Sequence, residues 1–151
     1  MTPNLRRWTL LLPWLGLVLA GCSTHTQVNH AARPDQMHHI FVEHLLADGN
    51  NIDELIAREL RRLGYDASAG PLTMMPEGTQ AILAYQPRWA FDFTTYLIEL
   101  DVALRDAKTG EEIAVSRSFR PSITGNDPSA MIQRVIDPMF EAPKAAVPKA
   151  P

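Results

Sequence analysis

The chain has 151 residues, a formal net charge of −3 at pH 7 and a single cysteine. This length predicts one domain, and the acidic balance argues against a non-specific nucleic-acid binder, which needs a basic surface. One cysteine excludes both an internal disulfide and a zinc site built from several thiolates.

The first 21 residues have the layout of a cleaved export signal. Arg6 and Arg7 precede residues 8–19, which are apolar apart from Thr9. A helix over this run rises about 18 Å, whereas the hydrocarbon core of a bilayer is about 30 Å thick. The run is therefore too short to span a membrane comfortably, and we predict that residues 1–21 are a signal peptide.

The signal ends in Leu19-Ala20-Gly21-Cys22, which resembles the lipobox of bacterial lipoproteins. The resemblance implies that the sulfur of Cys22 receives a diacylglycerol, that cleavage falls just before it, and that the new amine takes a further acyl chain such as palmitate. In this family, Asp directly after the cysteine favours retention in the inner membrane. This chain has Ser23 there, so the resemblance also implies an outer-membrane protein whose domain faces the periplasm. The inner membrane is the less favoured alternative.

Composition divides the rest of the chain. Residues 22–36 are polar and lack periodicity, which predicts a flexible tether. Residues 143–151 are rich in Pro, Ala and Lys, which predicts a disordered tail. The folded domain is therefore predicted to span residues 37–142.

The first half of this domain predicts a strand at residues 40–43 and then a helix. Asn51 and Glu54 are placed as a capping box, and Gly64 as a left-handed C-terminal cap. Apolar residues at helical spacing form one face: Ile52, Leu55, Ile56, Leu60 and Leu63. The helix also carries Arg58, Arg61 and Arg62, which we interpret as a solvated face rather than a binding patch. A short strand at 65–69 and a loop at 70–79 follow.

Residues 81–93 predict further strand structure. Pro87 interrupts it, which indicates a bulge, a sheet edge or a break between two strands. Trp89, Phe91 and Phe93 alternate with other residues and lead to Tyr96. We interpret these aromatic residues as core rather than as a binding patch, but any exposed part would mark a partner or lipid site.

The side chains of residues 94–105 alternate between a mainly apolar and a mainly polar set, which predicts a long strand. One face has Tyr96, Ile98, Leu100, Val102 and Leu104, and the other includes Leu97, Glu99, Asp101 and Arg105. A turn at 106–110 and a returning strand at 112–120 complete a hairpin. The last helix starts with Asp127 as N-cap and Pro128 at its first position, and Pro138 is predicted to end or kink it near Asp137.

These elements predict an α+β fold, a two-layer sandwich of a mostly antiparallel sheet with two helices packed on one face. The β-α-β unit, followed by a hairpin with the turn Asp-Ala-Lys-Thr-Gly at residues 106–110, resembles the domains of small bacterial envelope lipoproteins over about residues 38–141. The resemblance brings no catalytic residues with it.

Few residues suggest chemistry. The five histidines lack the spacing of a metal motif, so no metal site is expected; they are His25, His30, His38, His39 and His44. Glu99 and Asp101 share a strand face, where paired carboxylates can perform acid–base catalysis, but we favour charge pairs with Arg105, Arg117 or Arg120. The nucleophile-elbow, phosphate-loop and dinucleotide motifs are missing from the sequence. We therefore predict neither catalysis nor a cofactor.

The sequence thus predicts a membrane-anchored periplasmic lipoprotein that acts as a non-catalytic binding or assembly module with an envelope protein as partner. One alternative is a carrier of a lipid or small ligand, with a cavity lined by Leu60, Leu63, Tyr96 and Met131. A second is a hydrolase that uses Glu99 or Asp101 in a cleft.

Overall fold

A computed structural model describes residues 23–28, 34–120 and 127–141 of the chain. The predicted signal peptide, Cys22, His30 and the predicted tail lie outside the described residues, so their assignments stay predictions.

The described residues form one mixed sheet of six strands. The strands are β1 (Ser23–Val28), β2 (His39–Glu43), β3 (Asp66–Gly70), β4 (Ala81–Asp92), β5 (Thr94–Asp106) and β6 (Glu112–Phe119). Their spatial order is β1-β6-β5-β4-β2-β3. β2 is parallel to β3 and to β4, and the remaining neighbours are antiparallel.

Two helices, α1 (Ile52–Arg62) and α2 (Pro128–Phe140), pack against this sheet and against each other. Their apolar stripes and the facing side chains of the strands form one core, in which Ile56, Leu60, Leu104, Val135 and Ile136 are fully buried. The predicted α+β fold with two helices on a mostly antiparallel sheet is confirmed. So is the β5–β6 hairpin, in which Asp106 Oδ1 accepts from the Lys108 and Thr109 N–H groups.

The N-terminus of α1 is capped differently from the prediction. Asn51 has a left-handed backbone (φ 54°) and its side chain makes no capping hydrogen bond. Asp48 takes this role, because its Oδ2 accepts from the Ile52 N–H at 2.7 Å and from the Tyr85 hydroxyl at 2.7 Å. The predicted capping box is therefore wrong: a carboxylate four residues before the helix, fixed by a tyrosine of β4, replaces it.

α2 begins as predicted and ends later. Asp127 accepts from the Ser129 N–H at 3.0 Å, which confirms it as the N-cap. The helix continues through Pro138 to Phe140, so of the two predicted effects of Pro138 an end near Asp137 is wrong, while a kink there stays a prediction. Pro138 removes one backbone donor close to the helix terminus, and buried contacts sustain the last turn: Met139 is buried, and the Phe140 ring lies 4.7 Å from that of Tyr65.

Part of the predicted tether is a strand. Ser23–Val28 forms β1, the edge strand that pairs antiparallel with β6. The Thr26 and Ser116 hydroxyls are 2.8 Å apart across this pair. Short polar sequences carry little strand periodicity, and the pairing depends on the open edge of β6, which the local sequence of residues 23–28 does not reveal.

β4 passes through Pro87 without a break. β2 pairs with β4 only from Ala81 to Leu83, so Pro87 lies on a sheet edge, one of the predicted alternatives. Directly beyond it the β4–β5 register shifts, because Arg88 pairs with Glu99 and Trp89 pairs with Leu97. The extra residue, Ile98, reverses the alternation, so Leu97 is buried in the core and its predicted place on the charged face is wrong.

Candidate functional site

The side of β1, β6, β5 and β4 that faces away from α1 and α2 is termed the uncovered face. It is mainly polar, and its side chains include His25, Gln27, Gln86, Arg88, Glu99, Asp101, Arg105 and Arg117. A shallow groove of about 470 Å³ runs across it between β1 and β4. The alternation of the strands positions these groups, since their neighbours Leu100, Val102 and Leu104 point into the core.

Glu99 is the centre of this face. It is 4% exposed although it lies on the side that no described helix covers. Arg88 from β4 and Arg117 from β6 both form ion pairs with its carboxylate, one on each oxygen. The two guanidinium groups thus cover Glu99 from both neighbouring strands.

Asp101 lies two residues further along β5 and is less tightly held. Arg117 Nε is 3.2 Å from its Oδ1, but the N–H is not aligned for a hydrogen bond, so this contact is an ion pair only. Burial raises the pKa of Asp101, although the charge of Arg117 opposes this change. Arg88, Glu99, Asp101 and Arg117 together carry no net charge.

The arrangement supports charge pairing better than acid–base catalysis. Both oxygens of Glu99 already hold a guanidinium, so a substrate would have to displace Arg88 or Arg117 to reach them. Of the arginines predicted as partners, the structure brings Arg117 to both acids. The sequence did not reveal Arg88, because its place opposite Glu99 depends on the exact position of the β4–β5 turn.

The four histidines within the described residues do not form one cluster. His25 is on the uncovered face near Gln27, and His38 is exposed. His39 Nδ1 is 3.0 Å from Asp66 Oδ2, and His44 Nδ1 is 2.7 Å from the buried Asp53. Within the described residues no group of three or more His, Cys, Asp or Glu side chains is placed to hold a metal ion.

Two of the α1 arginines have structural contacts. Arg61 donates to the Ala67 carbonyl of β3 at 2.7 Å, and it pairs with Glu54. Arg62 bridges Glu59 of α1 and Asp137 of α2. These contacts connect α1 to its neighbours, which supports the interpretation that the helix face is not a binding patch.

The end of the β4–β5 hairpin projects past the other strands. Residues 89–97 are termed the hairpin arm. Among the described strands they pair only with each other, since the pairing of β4 with β2 ends at Leu83 and the pairing of β5 with β6 ends at Glu99. Trp89 packs against the core, but Phe91 is 78% and Phe93 95% exposed. The core interpretation is therefore wrong for Phe91 and Phe93, because the arm extends beyond the helices and the alternation continues where no core remains to receive it.

Three of the four residues predicted to line a carrier cavity lie in the packed layer, whereas Tyr96 lies on the hairpin arm, opposite Ala90, and is not part of the core. Leu60 and Met131 are buried in the core, and Leu63 packs against it. The groove described above is on the opposite side of the sheet. This arrangement counts against a ligand cavity between helices and sheet.

The fold is similar to that of PelC. The PelC dodecamer from Paraburkholderia phytofirmans matches with a TM-score of 0.57 at 12% identity, covering 80% of this chain and 95% of that chain. A PelC dodecamer from the same organism with one Leu-to-Met substitution matches with a TM-score of 0.58 at 13% identity, covering 81% and 100%. At this identity the likeness concerns the fold.

A scan against protein-family models and a search of curated proteins find no match. Within the described ranges, neither α1 nor α2 has the length and apolar character needed to cross a bilayer.

Proposed function

We propose that this protein is an outer-membrane lipoprotein, anchored through acyl chains on Cys22, whose non-catalytic domain assembles with copies of itself on the periplasmic side. The observation that carries the proposal is the likeness to PelC, whose chain is matched over 95% of its length in a dodecamer. The match covers four fifths of this chain and nearly the whole of that PelC chain, so the likeness is not confined to a fragment of either.

The anchor is supported by the order of features at the N-terminus. Arg6 and Arg7, a short apolar run and Leu19-Ala20-Gly21-Cys22 follow one another at lipoprotein spacing. Each acyl CH₂ buried in a bilayer contributes about 0.8 kcal/mol, so several chains on one cysteine hold a small domain at the membrane.

The non-catalytic role is supported by the uncovered face. Its acids are engaged by Arg88 and Arg117 rather than left free for a substrate. A mainly polar, charge-balanced surface with a shallow groove suits contact with another protein, since the rim of protein–protein interfaces is polar. Such a surface lies on β1, β4, β5 and β6 and is accessible from one side.

Membrane fractionation tests the lipid anchor, and native mass spectrometry tests self-assembly. The full-length protein is produced in a Gram-negative host, and its inner and outer membranes are separated by density, with Cys22→Ser as the matched control. We expect the wild type in the outer membrane and the variant outside it. Equal distribution of the two would contradict the anchor. Native mass spectrometry of the detergent-extracted wild type should then show an oligomer, and a monomer at every concentration would contradict self-assembly.

A further inference from the structure

We propose that the tip of the hairpin arm, Phe91 and Phe93, is a second membrane contact that enters the headgroup region of the bilayer in which Cys22 is anchored. This inference rests on the proposed anchor at Cys22. It concerns a different part of the chain, and it is tested by a different observable.

Strand register places the anchor and the arm at the same end of the sheet. Ser23 pairs with Phe119, Phe119 pairs with Glu99, and Glu99 pairs with Arg88. These residues therefore form one row across four strands. Cys22 directly precedes Ser23 in the chain, so an anchor at Cys22 holds this row close to the membrane surface.

The hairpin arm extends from that row in the direction in which Cys22 lies. Phe93 lies five residues beyond Arg88, and a strand advances about 3.3 Å per residue, so the tip projects roughly 16 Å past the row. The headgroup region on each side of a bilayer is about 5–7 Å thick. Because β1 begins at Ser23, the chain has little slack between the anchor and the sheet, and the arm reaches the bilayer even when the strands are tilted.

The chemistry of the tip fits an interfacial contact. Phe91 and Phe93 present two aromatic side chains to solvent, with the backbone of Phe93 in a left-handed conformation at the turn (φ 60°). Exposed apolar groups at a projecting tip gain free energy by leaving water. Asp92 lies between them, and a carboxylate is tolerated near the interface far better than at the bilayer centre. The contact is therefore shallow.

The base of the arm is charge-balanced, because the guanidinium of Arg88 pairs with Glu99. The contact therefore rests on the apolar tip and not on attraction to anionic headgroups. A second copy of the chain and another protein are the competing occupants of the tip, but the row shared with Ser23 favours the bilayer.

Depth-dependent fluorescence quenching tests the inference. The full-length acylated protein is placed in vesicles of phosphatidylethanolamine and phosphatidylglycerol. An environment-sensitive dye is attached to Thr95→Cys, an exposed position opposite Phe91. Acylation leaves Cys22 without a free thiol, so the dye reacts with the introduced cysteine. The control is Lys108→Cys, which is exposed in the turn at the other end of β5.

We expect lipids brominated high on their acyl chains to quench the dye at position 95 and to leave the dye at position 108 unchanged. Substituting Phe91→Ser and Phe93→Ser in the same protein should abolish the quenching. Vesicle flotation is measured in parallel. Flotation without quenching at position 95 would overturn the inference while leaving the anchor intact, and loss of flotation would overturn the anchor and with it this inference. A dye at position 95 that is shielded from aqueous iodide but not quenched by lipid would show a protein contact and also overturn it.

Discussion

Arg88 and Glu99 face each other across β4 and β5, and their ion pair keeps Glu99 almost wholly buried on the uncovered face of the sheet. Arg117 completes the cover from β6. A carboxylate at this depth is tolerated because both oxygens hold a guanidinium, whereas an unpaired buried charge costs several kcal/mol. The pair also lies at the base of the hairpin arm, directly before the bulge at Ile98.

Removal of the Glu99 carboxylate should destabilise the protein. Glu99→Ala is expected to lower the free energy of unfolding by about 2 kcal/mol, since hydrogen bonds to charged groups contribute about 1.5–3 kcal/mol. Asp101→Ala is the control. Its side chain is 43% exposed and held by one ion pair, so its loss should cost less than about 1 kcal/mol. Urea unfolding measures both, and equal losses would contradict the central place of Glu99.

The bulge at Ile98 predicts that two apolar residues of the same hairpin contribute very differently to the free energy of unfolding. Leu97→Ala should cost about 2–5 kcal/mol, because a fully buried leucine leaves a cavity. Phe93→Ala should change the free energy of unfolding by no more than about 0.5 kcal/mol, because Phe93 is exposed. Thermal or urea unfolding distinguishes them. A small loss at Leu97 would mean that the strand alternates without the bulge.

The helices and the long hairpin were predictable because their apolar periodicity is local. The stripe of α1, the N-cap Asp127 and the alternation of β5 from Leu100 to Leu104 each follow from a few neighbouring residues. The misses have non-local causes. The capping of α1 depends on Tyr85, which lies 37 residues after Asp48, and the pairing of β1 depends on β6 at the other end of the domain.

The same distinction applies to the candidate site. Two carboxylates on one face of β5 could be read from alternation, and Arg117 from the adjacent strand. Arg88 and the exposure of Phe91 and Phe93 could not, because they depend on where the β4–β5 hairpin turns and on how far the helices extend. Sequence alternation shows that two faces exist, but it does not show where the covering layer ends.

The cap formed by Asp48 should make stability depend on pH. Burial alone would raise the pKa of Asp48, but hydrogen bonds from Tyr85 and from the backbone N–H groups of Asn50, Ile52 and Asp53 outweigh it and lower the pKa. A carboxyl whose pKa is lowered on folding stabilises the protein above its unfolded pKa, near 4, and this stabilisation is lost as the pH falls through the folded value.

Asp48→Asn should therefore lower the urea midpoint at neutral pH and have progressively less effect below about pH 4. Asn51→Gly is the control, because Asn51 makes no capping hydrogen bond and glycine retains its left-handed backbone. The difference in urea midpoint between Asn51→Gly and the wild type should not vary with pH. A difference between Asp48→Asn and the wild type that is constant across the acid range would contradict the role of the Asp48 charge.

β1 should be protected from hydrogen exchange. Its backbone pairs with β6 from Ser23 to Val28, so the amide groups that donate to β6 exchange only after local opening. Hydrogen–deuterium exchange followed by mass spectrometry should show slower exchange in residues 23–28 of the folded protein than in an unstructured peptide of the same sequence. Exchange as fast as in an unstructured peptide would restore the predicted tether and remove the close coupling between Cys22 and the sheet.

The most direct test of the account is mass spectrometry of the mature N-terminus, purified from the membranes of a Gram-negative host. The account predicts an N-terminal peptide that begins at Cys22 and carries the mass of a diacylglycerol together with an additional acyl chain. A mature chain that begins elsewhere, or an unmodified Cys22, would contradict the lipid anchor on which the proposed function depends.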